Sequence, residues 1–195
     1  MGNHDNEKQM EIKQAARSLF FRLGFSKTSM DDIAALCHLA KPTLYYYYPN
    51  KESIFNEIVV EEARKFMDRM EQKLDNNLPP DKKLAAFFRQ TYQDLEEYAR
   101  ETADLPDRLF AQYPHGKPIV TEINRLFADK LHPILRLGKE QSLFAIRDVD
   151  ATLRALIEMT DFLNLDWMRN EPKESRDVVI NEMIHIILNG LTRRN

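Results

Sequence analysis

Lys41-Pro42-Thr43-Leu44-Tyr45-Tyr46-Tyr47 places a cation, four hydroxyls and a proline ring within seven residues, beside a second lysine at Lys51 and hydroxyls at Thr28 and Ser29. This is a vocabulary for recognition rather than for bond making. Lysine and the tyrosine hydroxyls suit base edges or phosphate oxygens, and a proline ring suits a thymine methyl. No phosphate-cradling glycine loop, nucleophile elbow or zinc-spaced Cys/His set accompanies it, and five glycines leave little for cradling phosphates. Glu182-x-x-His185 matches half of a di-metal signature, but the nearest companion is only Asp129-x-x-His132, so no metal or other cofactor is expected.

The elements that must position these residues are legible around them. Thr28 or Ser29 can cap a helix with its hydroxyl, and Asp31 and Asp32 suit its first turn, so a helix is predicted over about 30–36. Cys37-His38-Leu39 offers a turn. Pro42 is tolerated only in the first turn of a helix, which fixes a second one from Ala40 to about Tyr47. Two helices joined by so short a turn have helix-turn-helix geometry, in which the second helix enters the major groove of DNA. Leu44 and Tyr48 should face inward, while Lys41 and Tyr45 are the candidates for base edges.

Thr28, Ser29, Ile33, Ala34, Thr43, Leu44, Tyr45, Tyr47 and Lys51 fall, without a gap, at the spacing of the corresponding residues in the tetracycline-repressor (TetR) family of bacterial regulators. The stretch 10–60 resembles the head of that family. The resemblance implies a DNA-binding repressor in which Thr28, Thr43, Tyr46, Tyr47 and Lys51 meet phosphates. His38 stands where the family usually has a turn glycine, Ala40 where it has a capping serine, and Tyr48 where it has phenylalanine. His is enriched several-fold among non-glycine residues at positive φ, so His38 can hold the turn. Ala40 forgoes a cap worth about 1 kcal/mol.

Elsewhere the chain reads as all-α, with about nine helices: a three-helix head over 1–50 and a helical bundle over 51–195. No segment alternates like a strand. Residues 1–7 are polar and expected to be disordered. Ile12, Ala15, Ala16, Leu19, Phe20 and Leu23 mark a supporting helix ended by Gly24, and Phe20, Phe25, Ile33, Leu36, Leu44 and Tyr48 should form the head's core. Helices are predicted from Lys51 to about Leu74, along the stripe Leu84 to Ala99, over about 104–112, along the stripe Ile119 to Gly138, and over about 148–169 and 174–192. The last two are apolar on two sides, so a twofold pairing of both is expected to bury Leu156, Met159, Leu163, Ile180, Ile184 and Ile187 between subunits. A surplus of aromatics on converging helices places a lipophilic or aromatic effector among Phe88, Tyr92, Tyr98, Phe110, Phe127, Met159 and Phe162.

Charge and composition narrow the function further. The 195 residues carry a net charge of −3, yet residues 1–51 hold seven lysines and arginines against five acids, a balance of +2 that leaves −5 on the remainder. A mildly basic head on an acidic body suits a site-specific binder. The start of the chain lacks the apolar stretch of a signal peptide, no run is long enough to span a membrane, and the single cysteine, Cys37, fits a reducing compartment; the cytoplasm is expected. The reading is therefore a homodimeric repressor that binds a palindromic operator in double-stranded DNA and is released by a small effector. A nucleoid-associated or protein-interaction factor that keeps the head but has no effector pocket is the alternative. An enzyme would need convergent acid, base or metal groups in the body, and none is found.

Overall fold

The computed structural model describes residues 2–101, 117–160 and 165–192. Among them are nine helices and no strand: α1 (Gly2–Leu23), α2 (Met30–Leu36), α3 (Lys41–Tyr47), α4 (Lys51–Lys73), α5 (Pro80–Glu101), α6 (Lys117–Glu140), α7 (Val149–Met159), α8 (Leu165–Asn170) and α9 (Lys173–Leu191). None is long and apolar enough to cross a membrane. The helix expected over 104–112 lies outside the described residues, and α6 opens at Lys117, ahead of the stripe predicted from Ile119. The chain divides into two compact units, Met1–Ala63 with Asp104–Glu122, and Arg64–Ala103 with Ile123–Asn195.

In the first unit, Ile12, Ala16, Leu19 and Phe20 recur on one face of α1 and are buried. Gly24 ends that helix at φ 85°, its N–H donating to the Phe20 carbonyl at 2.9 Å, a conformation open to glycine without a Cβ penalty. The chain can then turn sharply enough to lay Phe25 on Phe20 and Phe55, with ring centroids 5.0 to 5.4 Å apart. Ile54, Phe55 and Ile58 of α4 are buried in this core, so the unit continues past residue 50. A head ending at residue 50 would lose the third ring of its aromatic cluster. Polar ties run alongside: Lys13 bonds Glu57 at 2.9 Å and also Glu61, and Arg17 bonds Glu62 at 2.7 Å.

Two expectations for this unit are corrected. α1 begins at Gly2, so residues 2–7 are helical rather than disordered, and Asp5 accepts a hydrogen bond from the Tyr47 hydroxyl at 3.2 Å. Leu36 is 46% exposed instead of buried, because α2 turns Ile33 and Ala34 inward and Leu36 lies off that face.

The second unit is built on α5, whose stripe of Leu84, Phe87, Phe88, Thr91, Tyr92 and Ala99 is buried. Its core also takes Met67 and Met70 from α4, Leu131, Ile134 and Leu135 from α6, Leu153 and Leu156 from α7, and Ile180, Met183, Ile184 and Ile187 from α9. Phe144 packs against Gly138, where any Cβ would lie 2.1 Å from its ring. The helix predicted over 148–169 is shorter. Asp148 caps α7 by accepting from the Ala151 N–H at 3.0 Å, and α7 stops at Met159, where the amide and hydroxyl of Thr160 both take the carbonyls of Leu156 and Ile157. α8 follows only at Leu165.

Candidate nucleic-acid interface

The turn between α2 and α3 is held by hydrogen bonds that the residues themselves require. Ser29 and Asp32 form a reciprocal capping box: the Ser29 hydroxyl accepts from the Asp32 N–H at 3.1 Å, and the Asp32 carboxylate accepts from the Ser29 N–H at 2.9 Å. The Ser29 hydroxyl also donates to that carboxylate at 2.6 Å, and these bonds hold the Asp32 carboxyl below its ordinary pKa. At the other end His38 takes φ 53°, its N–H reaching the Ala35 carbonyl at 3.2 Å while Leu39 N–H reaches Ala34 at 2.9 Å. This is the Schellman pattern with histidine in the glycine position. Ala40 precedes α3 with no side-chain cap, and Pro42 sits in the first turn.

The turn gives α3 two unlike faces. Leu44 is fully buried, and Tyr48 just beyond the helix is 4% exposed, its hydroxyl donating to Glu57 at 2.8 Å. Burial first, then that bond, raises the Tyr48 pKa. On the other face Lys41, Pro42, Thr43, Tyr45 and Tyr46 are exposed, with Tyr46 at 78%. An aromatic ring left in water on a helix that has already buried its core residue is a ring available to a partner. Tyr47 is half-buried, packed edge-on against Tyr46 with centroids 5.1 Å apart. Lys41 pairs with Asp31, and that bond raises its pKa.

Besides Lys41, bonded to Asp31, and Tyr47, bonded to Asp5, three more of the expected DNA contacts are already engaged within the head. Thr28 is 1% exposed, and its hydroxyl donates to the Gly24 carbonyl at 2.9 Å, which closes the loop after α1. Lys51 donates to the carbonyls of Phe25 and Thr28 at 2.8 and 2.9 Å, with its ammonium 4.5 Å from the Phe25 ring centroid. Its charge serves two loop carbonyls and an aromatic face. Ser29 is exposed, but its hydroxyl belongs to the capping box. The Asp31–Lys41 and Asp5–Tyr47 contacts escaped sequence reasoning. Asp31 reads as a first-turn helix residue, and nothing local signals that Lys41 folds back onto it.

The second unit revises the remaining assignments. Leu156, Ile180, Ile184 and Ile187 are each no more than 5% exposed and belong to the unit's own core, so they have no surface left for a second subunit. The apolar side chains that α7 and α9 leave in water are Met159, Val178, Val179 and Ile186, at 50, 68, 39 and 55% exposure. Among the described residues of the expected interface, only Met159 is left in water, and it is not packed in the core beside Phe88 and Tyr92. Phe88 and Tyr92 are packed in the core, the Tyr92 hydroxyl donating to Asp177 at 2.6 Å. Tyr98 is half-buried and Phe127 packs against the core, its ring 6.1 Å from Phe87. Phe110, Phe162 and Leu163 lie outside the described residues. A cleft of about 190 Å³ is lined by Met70, Leu74, Lys83, Phe87, Lys130 and Ile134, among others, and by none of the expected effector residues that are described.

Among the described residues no three His, Cys, Asp or Glu side chains gather as metal ligands. Asp129 bonds Arg125 at 3.1 Å, His132 faces Asp150 at 3.5 Å, and His185 bonds Asn189 at 2.8 Å. These are pairs on helix surfaces, with no converging third group.

Known proteins share both the motif and the architecture. Residues 12–58 match the family model of bacterial regulatory proteins, tetR family. The chain is 22% identical to the HTH-type transcriptional regulator YhgD of Bacillus subtilis over 194 residues, covering 95% of this chain and 97% of that one. It is 28% identical over 158 residues, 80% of this chain and 76% of the other, to IcaR of Staphylococcus epidermidis, the negative transcriptional regulator of the biofilm operon icaADBC. Its fold is that of FadR from Thermus thermophilus, a TetR-family transcriptional repressor solved in complex with lauroyl-CoA, with a TM-score of 0.65 at 20% identity over 96% of each chain. The matched segment contains both helices of the helix-turn-helix and the turn between them, and over these residues the chain is similar to the tetR family of bacterial regulatory proteins.

Proposed function

We propose that the protein is a homodimeric, sequence-specific transcriptional repressor that binds a palindromic operator through α3 and leaves it when a small lipophilic effector binds the second unit. The observation that carries this reading is the sidedness of α3, with Leu44 buried beneath it and Lys41, Pro42, Thr43, Tyr45 and Tyr46 left in water. A helix shaped in this way meets the requirements of a major-groove reader. The acyl-CoA bound by the Thermus relative supports an acyl chain as the effector class. The exposed face of Met159, Val178, Val179 and Ile186 supports a twofold four-helix pairing of α7 and α9. Such a regulator acts in the cytoplasm and carries out no catalysis of its own.

Selection of bound sequences from a random duplex pool tests the reading. A palindrome with half-site centres about 34 to 36 Å apart, or a multiple of that, is the expected result. Uniform enrichment without a consensus would favour a nucleoid-associated role. Adding lauroyl-CoA to the protein–operator complex should release the DNA, whereas free coenzyme A should not. Release by neither, or by aromatic acids instead, would refute the acyl assignment.

A further inference from the structure

The polar groups at the two ends of α3 are not idle in the free protein. At its start the Lys41 ammonium is bonded to the Asp31 carboxylate, although both side chains are more than half exposed and could extend into water. At its end the Tyr47 hydroxyl donates to the Asp5 carboxylate at 3.2 Å. The two acids come from different helices, α2 and α1, and neither is required by the cap of α2, which uses Asp32. Each sets a negative charge beside the face that must approach a polyanion.

We propose that Asp31 and Asp5 are specificity-determining residues, whose carboxylates occupy Lys41 and Tyr47 as internal stand-ins for DNA acceptors, so that only a duplex offering better-placed acceptors draws these donors away. The proposal rests on the reading of α3 as the DNA-reading helix. Its physical basis is a competition between acceptors. A carboxylate and a phosphate oxygen both accept hydrogen bonds from an ammonium or a phenol, so on random DNA Lys41 gains little by changing partner. At a guanine O6/N7 edge the geometry is better, and the exchange becomes favourable. The exposed Asp31–Lys41 pair is weak enough to be broken by the operator, and it still opposes binding elsewhere. Neutralising both acids would move the balance of residues 1–51 from +2 to +4, in the direction of indiscriminate binding.

The test is binding of the full-length protein to its selected operator and to a random duplex, followed by fluorescence anisotropy across a salt series. Asp31→Asn should tighten random-duplex binding by up to about fivefold, the fold-change that the typical worth of an exposed ion pair corresponds to. It should also steepen the slope of log affinity against log salt by about one per subunit and lower the operator-to-random ratio. In a Lys41→Gln background the same substitution should gain clearly less, because the cation it releases is absent. Asp5→Asn probes the second contact independently and should shift the ratio in the same direction. Unchanged random-duplex binding for both variants would overturn the inference. So would an Asp31→Asn gain as large in the Lys41→Gln background, which would mark a general charge effect. Failure of the unaltered protein to bind any duplex would instead refute the DNA reading, and this inference with it.

Discussion

Replacing Lys51 by methionine separates a structural lysine from a DNA-binding one, because the two roles predict opposite results. The thioether keeps most of the length and the apolar stem of the side chain while removing the ammonium. That ammonium makes two hydrogen bonds, to the Phe25 and Thr28 carbonyls at 2.8 and 2.9 Å, and stands 4.5 Å from the Phe25 ring centroid. Each bond contributes about 1 kcal/mol net at a half-buried site. The ring contact adds about 0.5 to 1 kcal/mol. Lys51→Met should therefore destabilise the first unit by about 2 to 3 kcal/mol. Urea denaturation of the full-length protein reads the loss. Hydrogen–deuterium exchange localises it to the loop after α1, where the Thr28 N–H bonds the Phe25 carbonyl at 3.3 Å. The salt dependence of DNA binding should keep its slope, since no phosphate contact is removed. An unchanged urea midpoint together with a slope shallower by about one would refute this account and restore Lys51 to the phosphate backbone.

Other substitutions separate further roles. Ile184→Arg forces a charge into a site that is 4% exposed and should unfold the second unit, at a cost of several kcal/mol. Val178→Arg with Ile186→Arg should give folded monomers; a dimer that persists in sedimentation would place the interface elsewhere. Tyr45→Ala removes a half-exposed ring and should leave the melting temperature unchanged while weakening operator binding by about 1 to 3 kcal/mol, with relaxed preference at one symmetric pair of positions. Equal losses on operator and random DNA would make Tyr45 a backbone contact. Tyr92→Phe tests pH dependence, because the Tyr92 hydroxyl, followed by Lys173 and Arg176, holds the Asp177 carboxyl below its ordinary pKa. A depressed folded pKa contributes stability that is complete above the unfolded carboxylate range and is lost as pH falls through the folded value. The variant should melt lower than the parent at neutral pH, and the gap should close on acidification; a gap independent of pH would refute the linkage.

The parts of this protein that the sequence determined by itself are those whose causes lie within a few residues. The Ser29–Asp32 box, the His38 turn and Pro42 in the first turn of α3 act over one helical turn, so the helix-turn-helix and its two faces are legible in the local sequence. The apolar stripe of α5 was legible for the same reason, since helical period alone brings Leu84, Phe87, Phe88 and Thr91 to one side. Periodicity reports that a face is apolar but not what covers it. Periodicity therefore assigns Ile180, Ile184 and Ile187 of α9 to a partner subunit, although the unit's own core encloses them, and it places Leu36 in a core that α2 turns away from it. Hydrogen-bond partners distant in sequence were beyond reach in the same way. Lys51 carries a group that suits a phosphate, and only folding brings the Phe25 and Thr28 carbonyls to it, from 26 and 23 residues away. Those carbonyls must find donors once the loop after α1 leaves water, and the tertiary structure alone decides which side chains supply them.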